Sequence, residues 1–509
     1  MYTTRLMPRF YRRSNMKAIN EVKKTVSRPE KVIQFGEGNF LRAFVDWQID
    51  NANEKANFNG NVVVVQPLEK GMADMINAQK GLYTTVLRGI QKGKEINDRR
   101  VITSISRCLN AYTQYNDYIA CAKNKDLKIV VSNTTEAGIS YAPGCKLEDE
   151  PPASYPAKIC QFLYRRYEAF KGDKKAGLIL IPCELIDKNG DNLHRIVLQY
   201  AEEWKLDKKF VDWVNNACTF CNSLVDRIVP GYPREEAAKI CEELGYQDNL
   251  LDSAEIFHLW VIETQGDIDT LKKAFPLDKA GLNVVWTNDM SFYRTRKVRI
   301  LNGTHTMFVP AGFQAGFDTV RDCIEDPVMI KFIKKGLFDE IIPSMDGDKE
   351  MLKEYAGDVL ERFDNPFIRH MLISITLNTT AKFPVRDLPS VTGYIKKNGK
   401  VPPVLAFSLA ALTTFYEGKG IDGRNMKSVK DHNGQPYTIS DDEKSLKFFE
   451  DLYAKTHDPK TLAKTVLSHK DFWGEDLTKY KGLEEAVANG IASIQKNGMK
   501  KAIELVANA

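Results

Sequence analysis

Three residues whose types can hold and transfer a proton lie close together in segment 293–305, YRTRKVRILNGTH. They are Lys297, Asn302 and His305. If the segment is one α-helix with about 100° per residue, they fall at roughly 0°, 140° and 80° and share one broad face. A lysine accepts a proton when burial or cationic neighbours disfavour its charge, and asparagine and neutral histidine can polarise an oxygen. The same spacing also fits a basic surface helix, so the rest of the chain must decide.

The length and composition indicate a multidomain globular protein. A chain of 509 residues is too long for one core, and 43% hydrophobic with 27% charged residues is an ordinary composition. A net charge of +5 gives no reason to expect a nucleic-acid partner. No apolar run approaches a membrane span. The nine cysteines are scattered and odd in number, which fits a reducing compartment, so we expect a cytoplasmic protein.

The first 20 residues carry five basic side chains and no acidic one. A transit peptide has a similar composition, but a disordered tail, or a start codon upstream of a true start near Met16, explains it equally well. We therefore expect residues 1–25 to form a basic, disordered tail.

A dinucleotide-binding pattern follows this tail. Segment 31–35, KVIQF, is predicted to be a strand, and Gly36 and Gly38 come directly after it. Two glycines between a strand and a helix allow a tight turn and close approach of the backbone to a pyrophosphate. A second buried strand, NVVVVQ, follows at 61–66. The third glycine of the usual fingerprint is absent, because Leu41 stands there.

The ends of two predicted strands supply further cofactor-binding candidates. Gln66 stands where a carboxylate usually holds the adenosine ribose, which weakly favours NAD over NADP because no arginine is adjacent to clamp a 2′-phosphate. After the strand KIVV at 128–131, Thr135 and Glu136 begin a polar loop at the same sheet edge. A helix-capping loop is the alternative for this loop.

After about residue 285 the β-branched runs give way to helical periodicity. The fold class is therefore an α/β Rossmann-type domain at 26–285, followed by a mostly α-helical domain at 286–509. In the second domain Lys382 and Arg386 are four residues apart and form either a solvated face or one wall of an anion pocket. In the first, Asp226 and Arg227 form either a buried ion pair or part of a cleft.

Together these motifs resemble the polyol-specific long-chain dehydrogenases, the family of mannitol 2-dehydrogenase and the hexuronate reductases. The resemblance spans residues 30–390 in consistent order. It rests on Gly36-x-Gly38-x-Phe40-x-Arg42, Gly81-Leu82-Tyr83-Thr84, Thr135-Glu136-x-Gly138, Asn222-Ser223-x-Val225-Asp226-Arg227-Ile228, Lys297-x4-Asn302-x2-His305, Asn365-Pro366 and Lys382.

The resemblance implies NAD-linked hydride transfer between a small hydroxy compound and its ketone, in a cleft between the two domains. It implies a lysine general acid/base at Lys297, oxygen-polarising residues at Asn302 and His305, and no metal. For the cofactor it points to the glycine-rich turn and the residues around it. These cofactor-binding candidates are Gly36, Gly38, Asn39, Phe40, Arg42, Gln66, Thr135 and Glu136.

Two departures from the family pattern bear on the substrate. Cys183-Glu184-Leu185 replaces a segment that carries a second asparagine in sugar-alcohol members, and Arg294 replaces a glutamate three residues before the lysine. A guanidinium there suits a substrate that brings its own carboxylate. We therefore expect a hexuronate substrate, bound by Arg294, Asp226, Lys382 and Arg386. A neutral ketose, or a catalytically idle dinucleotide sensor, are the alternatives, and we expect a monomer or weak homo-oligomer.

Overall fold

The computed structural model describes residues 16–135 and 137–509. These form two compact units. The N-terminal unit comprises the described residues up to Arg88 together with Asn97–Met290, and the C-terminal unit comprises Gly89–Ile96 and Ser291–Ala509. The change of pattern expected near residue 285 falls close to this division. Residues 1–15 of the predicted tail lie outside the described residues.

A six-stranded parallel sheet forms the middle of the N-terminal unit. The strands, in chain order, are β1 (Glu30–Phe35), β2 (Asn61–Gln66), β3 (Tyr83–Gln91), β4 (Lys94–Ile102), β5 (Ile105–Asn110), β6 (Ile129–Ser132), β7 (Ile179–Pro182), β8 (Thr219–Phe220), β9 (Asn222–Asp226), β10 (Asp252–Glu255), β11 (Leu259–Glu263) and β12 (Val284–Thr287). The large sheet has the order β5-β2-β1-β6-β7-β8, and two three-stranded sheets have the orders β10-β3-β4 and β12-β11-β9. The large sheet reverses direction of winding between β1 and β6, which is where dinucleotides bind in doubly wound sheets.

Both faces of the large sheet are covered. In β2, Val62 and Val64 belong to one buried hydrophobic cluster, whereas Val63 and Val65 belong to another. Side chains that alternate between the two faces of a strand explain this division. The uninterrupted valine run is therefore that of a strand buried on both sides, as the sequence predicted.

The helices of the N-terminal unit flank these sheets. They are Ile19–Val22, Asn39–Leu41, the π-helical Arg42–Asp46, Trp47–Lys55, Ala73–Ala78, Tyr115–Ala120, the 3₁₀ turns Cys121–Lys123, Lys174–Ala176 and Asp278–Ala280, and the α-helices Tyr155–Ala169, Asn189–Glu203, Lys208–Ala217, Ala237–Leu244 and Ile268–Ala274.

The C-terminal unit is mostly helical. Its helices are Ser291–Arg296, the π-helical Lys297–Gly303, Thr304–Gln314, Val320–Glu325, Pro327–Lys334, the π-helical Lys335–Ile341, Ile342–Ser344, Lys349–Phe363, Leu372–Ile375, Thr379–Arg386, Leu388–Asn398, Pro403–Phe415, Glu443–Tyr453, Pro459–Leu467, Lys470–Trp473, the 3₁₀ turn Leu477–Lys479, Leu483–Asn497 and Met499–Asn508. From Val404 to Phe415, helix Pro403–Phe415 is buried at every residue. The predicted α/β domain followed by a mostly helical domain is confirmed.

A small antiparallel sheet in the C-terminal unit was not predicted. Its strands are β13 (Gly418–Asp422), β14 (Asn425–His432) and β15 (Gln435–Ser440), joined by tight turns. Few of its residues are buried, among them Met426 and Ile439. Because most side chains in these strands face solvent, the apolar alternation that marks a strand is weak here.

Part of the predicted tail is ordered. Ile19–Val22 forms one helical turn, and the fully buried Ile19 packs with Leu82 and Tyr246. The Ile19 N–H also donates to the carbonyl of Gln247 at 2.9 Å. The structured chain therefore begins before residue 25, because one apolar side chain fills a site in the unit. No helix in the described ranges is both long and apolar enough to cross a membrane.

Candidate active site

A pocket of about 320 Å³ lies at the carboxyl ends of β1, β2 and β6. The turn Gly36 to Gly38 lines it after β1, and Leu68 lines it after β2. Thr135, in the loop after β6, and Lys158, in helix Tyr155–Ala169, line it as well. The pocket therefore occupies the position that the sheet order predicts for a dinucleotide.

The two glycines of the turn have different roles. Gly36 has φ +116°, and a Cβ there would lie 2.9 Å from the carbonyl oxygen of Asn133. Only glycine fits this position without strain. Gly38 has φ −69° and stands before the helix that begins at Asn39, with nothing within 4 Å of a Cβ. The turn thus leaves open space in front of a helix N-terminus, which fits a pyrophosphate.

Three predicted cofactor residues face the protein instead of the pocket. Arg42 is 1% exposed, donates to the Leu250 carbonyl at 2.8 Å and lies 3.6 Å from an Asp252 carboxylate oxygen. Asn39 accepts a hydrogen bond from Arg42 at 2.6 Å. Phe40 stacks on Phe44 at 5.1 Å between ring centroids. In this geometry the motif side chains build the helix, while the backbone of the turn faces the pocket.

The Gln66 side chain also forms hydrogen bonds within its own loop. Its amide nitrogen donates to the Leu68 and Glu69 carbonyls at 2.8 and 3.1 Å, and its amide oxygen accepts from the Ala73 N–H at 3.0 Å. The side chain therefore shapes the loop after β2, and its contact with a ribose stays a prediction. Glu136 lies outside the described residues.

Glu184 supports the pocket loop, a role that sequence reasoning did not assign. Its carboxylate accepts from the Ser132 hydroxyl at 3.0 Å and from both the N–H and the hydroxyl of Thr134, at 2.9 and 2.8 Å. Burial raises the pKa of Glu184, partly offset by these hydrogen bonds. The residue marked as a departure from the family pattern thus holds the end of β6 and the loop that lines the pocket.

In the C-terminal unit, Lys297, Asn302 and His305 lie on one continuous helical stretch that is not purely α-helical. Ser291–Arg296 is α-helical, Lys297–Gly303 is π-helical, and the α-helix resumes at Thr304. A π-turn closes on the residue five positions ahead. Asn302 is five residues after Lys297. In the π-helical stretch the angle between these two side chains around the helix axis is therefore smaller than the 140° expected for a regular α-helix. The prediction of one helix holds, and that of a regular α-helix is wrong.

His305 is a buried, neutral histidine. It is 8% exposed, stacks on Phe363 at 4.2 Å and meets the His370 ring edge-on at 5.2 Å. Burial lowers its pKa well below the usual value, and the nearby His370 and Arg386 add to this effect. Among the described residues its Nε2 has no hydrogen-bond partner. A neutral imidazole with an available nitrogen can donate to or accept from a substrate oxygen.

Lys382 and Arg386 approach this histidine from helix Thr379–Arg386. Arg386 donates to the hydroxyl of Thr306, the residue after His305, at 3.2 Å. Lys382 donates to the Ile375 carbonyl at 2.9 Å, and burial together with Arg386 lowers its pKa to about 8. The structure therefore places these two cations near His305, and their role in an anion pocket stays a prediction.

His370 and Arg362 belong to the same cluster and were missed. Both act on the pKa of His305. They are 65 and 57 residues from it in sequence, so no spacing rule connects them. The only signal was their place on either side of Asn365-Pro366, a motif that the family resemblance includes.

The two remaining substrate candidates lie in different units. Arg294 is on helix Ser291–Arg296, one turn before Lys297, in the C-terminal unit. Asp226 ends β9 in the N-terminal unit and is 5% exposed. Its neighbour Arg227 donates to the carbonyls of Ala43 and Glu255 at 2.7 and 2.9 Å.

The described residues contain no group of three or more histidine, cysteine, aspartate or glutamate side chains placed to hold a metal ion. Chemistry without a metal stays a prediction.

Comparisons with known proteins agree over nearly the whole chain. The sequence model of the mannitol dehydrogenase Rossmann domain matches residues 30–273, and that of the mannitol dehydrogenase C-terminal domain matches residues 289–495. An altronate oxidoreductase of Bacteroides thetaiotaomicron is 46% identical over 490 residues, covering 96% of this chain and 99% of that protein. One from Escherichia coli is 45% identical over 480 residues, covering 93% and 96%.

Solved structures show the same fold. The substrate-free D-sorbitol dehydrogenase has a TM-score of 0.77 and 25% identity, with 96% of this chain and 100% of that chain covered. The Pseudomonas fluorescens mannitol 2-dehydrogenase complex with NAD and D-mannitol has a TM-score of 0.64 and 21% identity, with 95% of each chain covered. The predicted Rossmann-type domain and the predicted family are confirmed: this chain belongs to the mannitol dehydrogenase family.

Proposed function

We propose that this protein is an NAD-dependent oxidoreductase that interconverts altronate and its keto-uronate, tagaturonate. Relatives named altronate oxidoreductase match it at 45–46% identity over nearly the full length of both chains. Membership of the mannitol dehydrogenase family supports the reaction type, which is hydride transfer at a CH–OH group.

One observation carries the choice of an acidic substrate. The neutral His305, which follows Lys297 and Asn302 on the helix, is surrounded by basic side chains. Those that act on its pKa are His370, Arg386, Arg362 and Lys382. A hexuronate supplies a carboxylate that Arg386 and Lys382 can bind, whereas a neutral polyol carries no charge for them to bind.

The pocket of the N-terminal unit fits NAD. Gly36 and Gly38 would present backbone to the pyrophosphate, and Thr135 would line the wall after β6. When bound, NAD accepts or supplies the hydride.

The residues of the C-terminal unit perform the proton chemistry. In the reductive direction Lys297 donates a proton to the oxygen of the reacting carbonyl, and Asn302 and His305 hydrogen-bond that oxygen as its charge develops. Arg386 and Lys382 hold the substrate carboxylate, with Arg294 as a further contact, and a role of Asp226 in substrate binding stays a prediction. In the oxidative direction Lys297 takes the proton from the hydroxyl. No metal takes part in this proposal.

The nearest alternative keeps the reaction and changes the substrate, to fructuronate and mannonate or to a neutral ketose and its polyol. A catalytically idle dinucleotide sensor is the alternative from another class. All three catalytic side chains are present on the helix, which favours an enzyme over the sensor.

A substrate panel tests the proposal. NADH oxidation by the purified protein is measured with tagaturonate, fructuronate and fructose. We expect the largest kcat/KM with tagaturonate, about 10–100-fold above fructose, because a lost charge-assisted pair costs about 1.5–3 kcal/mol. Equal rates with fructose would contradict an acidic substrate. No NADH oxidation with any of the three, despite NADH binding, would support the sensor.

The setting of the protein is also a proposal. The match to altronate oxidoreductases supports a small-molecule substrate. We propose that the protein works in the cytoplasm as a monomer or weak homo-oligomer, without a nucleic-acid or membrane partner. Cell fractionation and sedimentation at several protein concentrations test these points.

A further inference from the structure

Lys158 is a buried cation in the wall of the dinucleotide pocket that no motif singled out. It lies in the first turn of helix Tyr155–Ala169 and is 1% exposed, which is rare for a lysine. Its side chain nevertheless lines the pocket together with Leu68 and Ser154. A charge at this place needs an explanation, because burying an ammonium group is costly unless it is paired.

The neighbours of Lys158 supply only neutral oxygen atoms. Its ammonium group donates to the Ala153 carbonyl at 2.9 Å and to the Tyr112 hydroxyl at 3.4 Å, and it lies 5.0 Å from the centre of the Tyr112 ring. An ammonium group has three hydrogens to donate. Within 16–135 and 137–509, these two are its hydrogen bonds and it has no salt bridge with a carboxylate. Burial lowers the pKa of Lys158 to about 8, so most of the group is protonated at neutral pH and one donor is left for a ligand.

The strand order shows at which end of the pocket Lys158 lies. Tyr112 comes two residues after the end of β5, and Leu68 comes two residues after the end of β2. Both strands lie on the same side of β1, opposite β6. In a doubly wound sheet the end of the second strand takes the adenosine ribose, and the nicotinamide extends toward the other side. Lys158 therefore belongs to the adenosine end.

The start of helix Tyr155–Ala169 adds to the positive potential. Ser154 caps the helix by accepting from the Ala157 N–H at 3.2 Å, and Ser154 and Tyr155 line the pocket. The helix is 15 residues long, so its N-terminus carries a partial positive charge next to the ammonium group. The two features act on the same region, which suits an anion.

We propose that Lys158 is a cofactor-binding residue that donates a charge-assisted hydrogen bond to the adenosine diphosphate half of NAD. The contact supplements the neutral backbone of the glycine turn with a full charge. This inference rests on the proposed function, because it requires that the pocket binds NAD.

The test compares binding, not turnover. The dissociation constants of NADH and ADP-ribose are measured by fluorescence and by displacement for the unaltered protein, Lys158→Met and Lys158→Gln. Glutamine keeps a neutral donor for the Ala153 carbonyl, so it separates support of the helix from binding of the ligand. Lys128→Met is the matched control, because Lys128 also donates to a carbonyl, that of Lys175 at 2.9 Å, at the opposite end of β6.

We expect both Lys158 variants to weaken NADH and ADP-ribose by at least about tenfold, and Lys128→Met to leave both within about twofold. Unchanged NADH affinity in Lys158→Gln would overturn the inference while leaving NAD dependence intact. Weaker NADH binding with unchanged ADP-ribose binding would also overturn it, because the contact would then lie at the nicotinamide end. Failure of the unaltered protein to bind NADH would instead contradict the proposed function.

Discussion

Both units carry a π-helical stretch inside the helix that bears their functional motif, but the two stretches differ in what they present. In the N-terminal unit all five residues of Arg42–Asp46 are buried. Its Asp46 accepts from the Gln34 amide at 3.1 Å, and burial raises the pKa of Asp46 to about 8. In the C-terminal unit the stretch Lys297–Gly303 keeps Lys297 and Asn302 partly exposed. The same local distortion is buried by packing in one unit and leaves two candidate catalytic side chains accessible in the other.

This difference extends to the sites themselves. The pocket of the N-terminal unit is built largely from backbone at strand ends, positioned by a glycine turn and by the Glu184 carboxylate. The candidate substrate site of the C-terminal unit is built from side chains of separate helices, which gather around His305. Substitutions should therefore affect cofactor affinity in the first unit and turnover or substrate affinity in the second.

Among the variants, Lys297→Ala is expected to show the largest difference between its effect on turnover and its effect on NADH binding. Loss of the general acid should lower kcat by about 10²–10⁴-fold, whereas the dissociation constant of NADH should stay within about twofold. Stopped-flow turnover and NADH fluorescence measure the two quantities. Near-normal turnover would remove Lys297 from the mechanism.

A smaller effect, confined to the substrate, is expected from Arg386→Leu. Removing one partner of the carboxylate should raise the KM for tagaturonate by about 10–100-fold and change the KM for NADH little. Arg294→Glu should act in the same direction, because it replaces a favourable charge by a repulsive one. Arg321→Leu is the control, since this arginine pairs with Glu325 at 2.9 Å on another helix. A KM increase shared by Arg321→Leu would point to general destabilisation.

The glycine turn offers a matched pair within the first unit. Gly36→Ala places a Cβ 2.9 Å from a carbonyl oxygen at φ +116°, so we expect about tenfold weaker NADH binding and lower thermal stability. Gly38→Ala meets nothing within 4 Å and has an ordinary φ, so stability should be unchanged. Any loss of NADH affinity in Gly38→Ala then reports how closely the cofactor approaches the turn. Equal destabilisation of both variants would contradict this distinction.

The smallest effect concerns acid sensitivity, to which His258 and His305 both contribute because burial lowers their pKa values. In the N-terminal unit His258 Nε2 accepts from the Asn283 N–H at 3.0 Å, and burial with Arg227 lowers its pKa to about 3. The unfolded chain binds this proton below about pH 6.5 while the folded chain stays neutral, so stability falls as pH drops from 6.5 towards 3. With the ring partly exposed, we expect a loss of about 1 kcal/mol between pH 7 and pH 5.5.

Urea denaturation at the two pH values measures this loss, and His258→Gln should remove it while leaving activity unchanged. His305→Gln should also reduce acid sensitivity, since burial lowers the pKa of His305 in the same direction, but it should lower kcat as well. Loss of activity in His258→Gln alone would contradict the assignment of these two roles.

Local patterns predicted the fold and the pocket of the first unit because their determinants are adjacent in sequence. A valine run marks a buried strand, and two glycines after a strand mark the turn. The orientation of Arg42 and Gln66 was not predictable, because their partners come from packing. For the second unit the sequence suggested Lys297, Asn302, His305, Lys382 and Arg386 as candidates, whose roles stay predictions, but it did not indicate the π-turn, which no residue type signals. It also missed His370 and Arg362, which reach the site only through the tertiary fold.

The C-terminal unit is not one continuous length of chain, since it includes the hairpin turn Gly89–Ile96. The carboxylate of Glu361 accepts the N–H groups of Lys92 and Gly93 at 3.0 and 2.8 Å, so this turn has its own anchor on helix Lys349–Phe363. An exchange of the second half of the gene with that of a relative would therefore separate Glu361 from the turn that it binds. Recombination at residue 290 alone therefore transfers an incomplete unit, which lacks the hairpin turn that Glu361 binds.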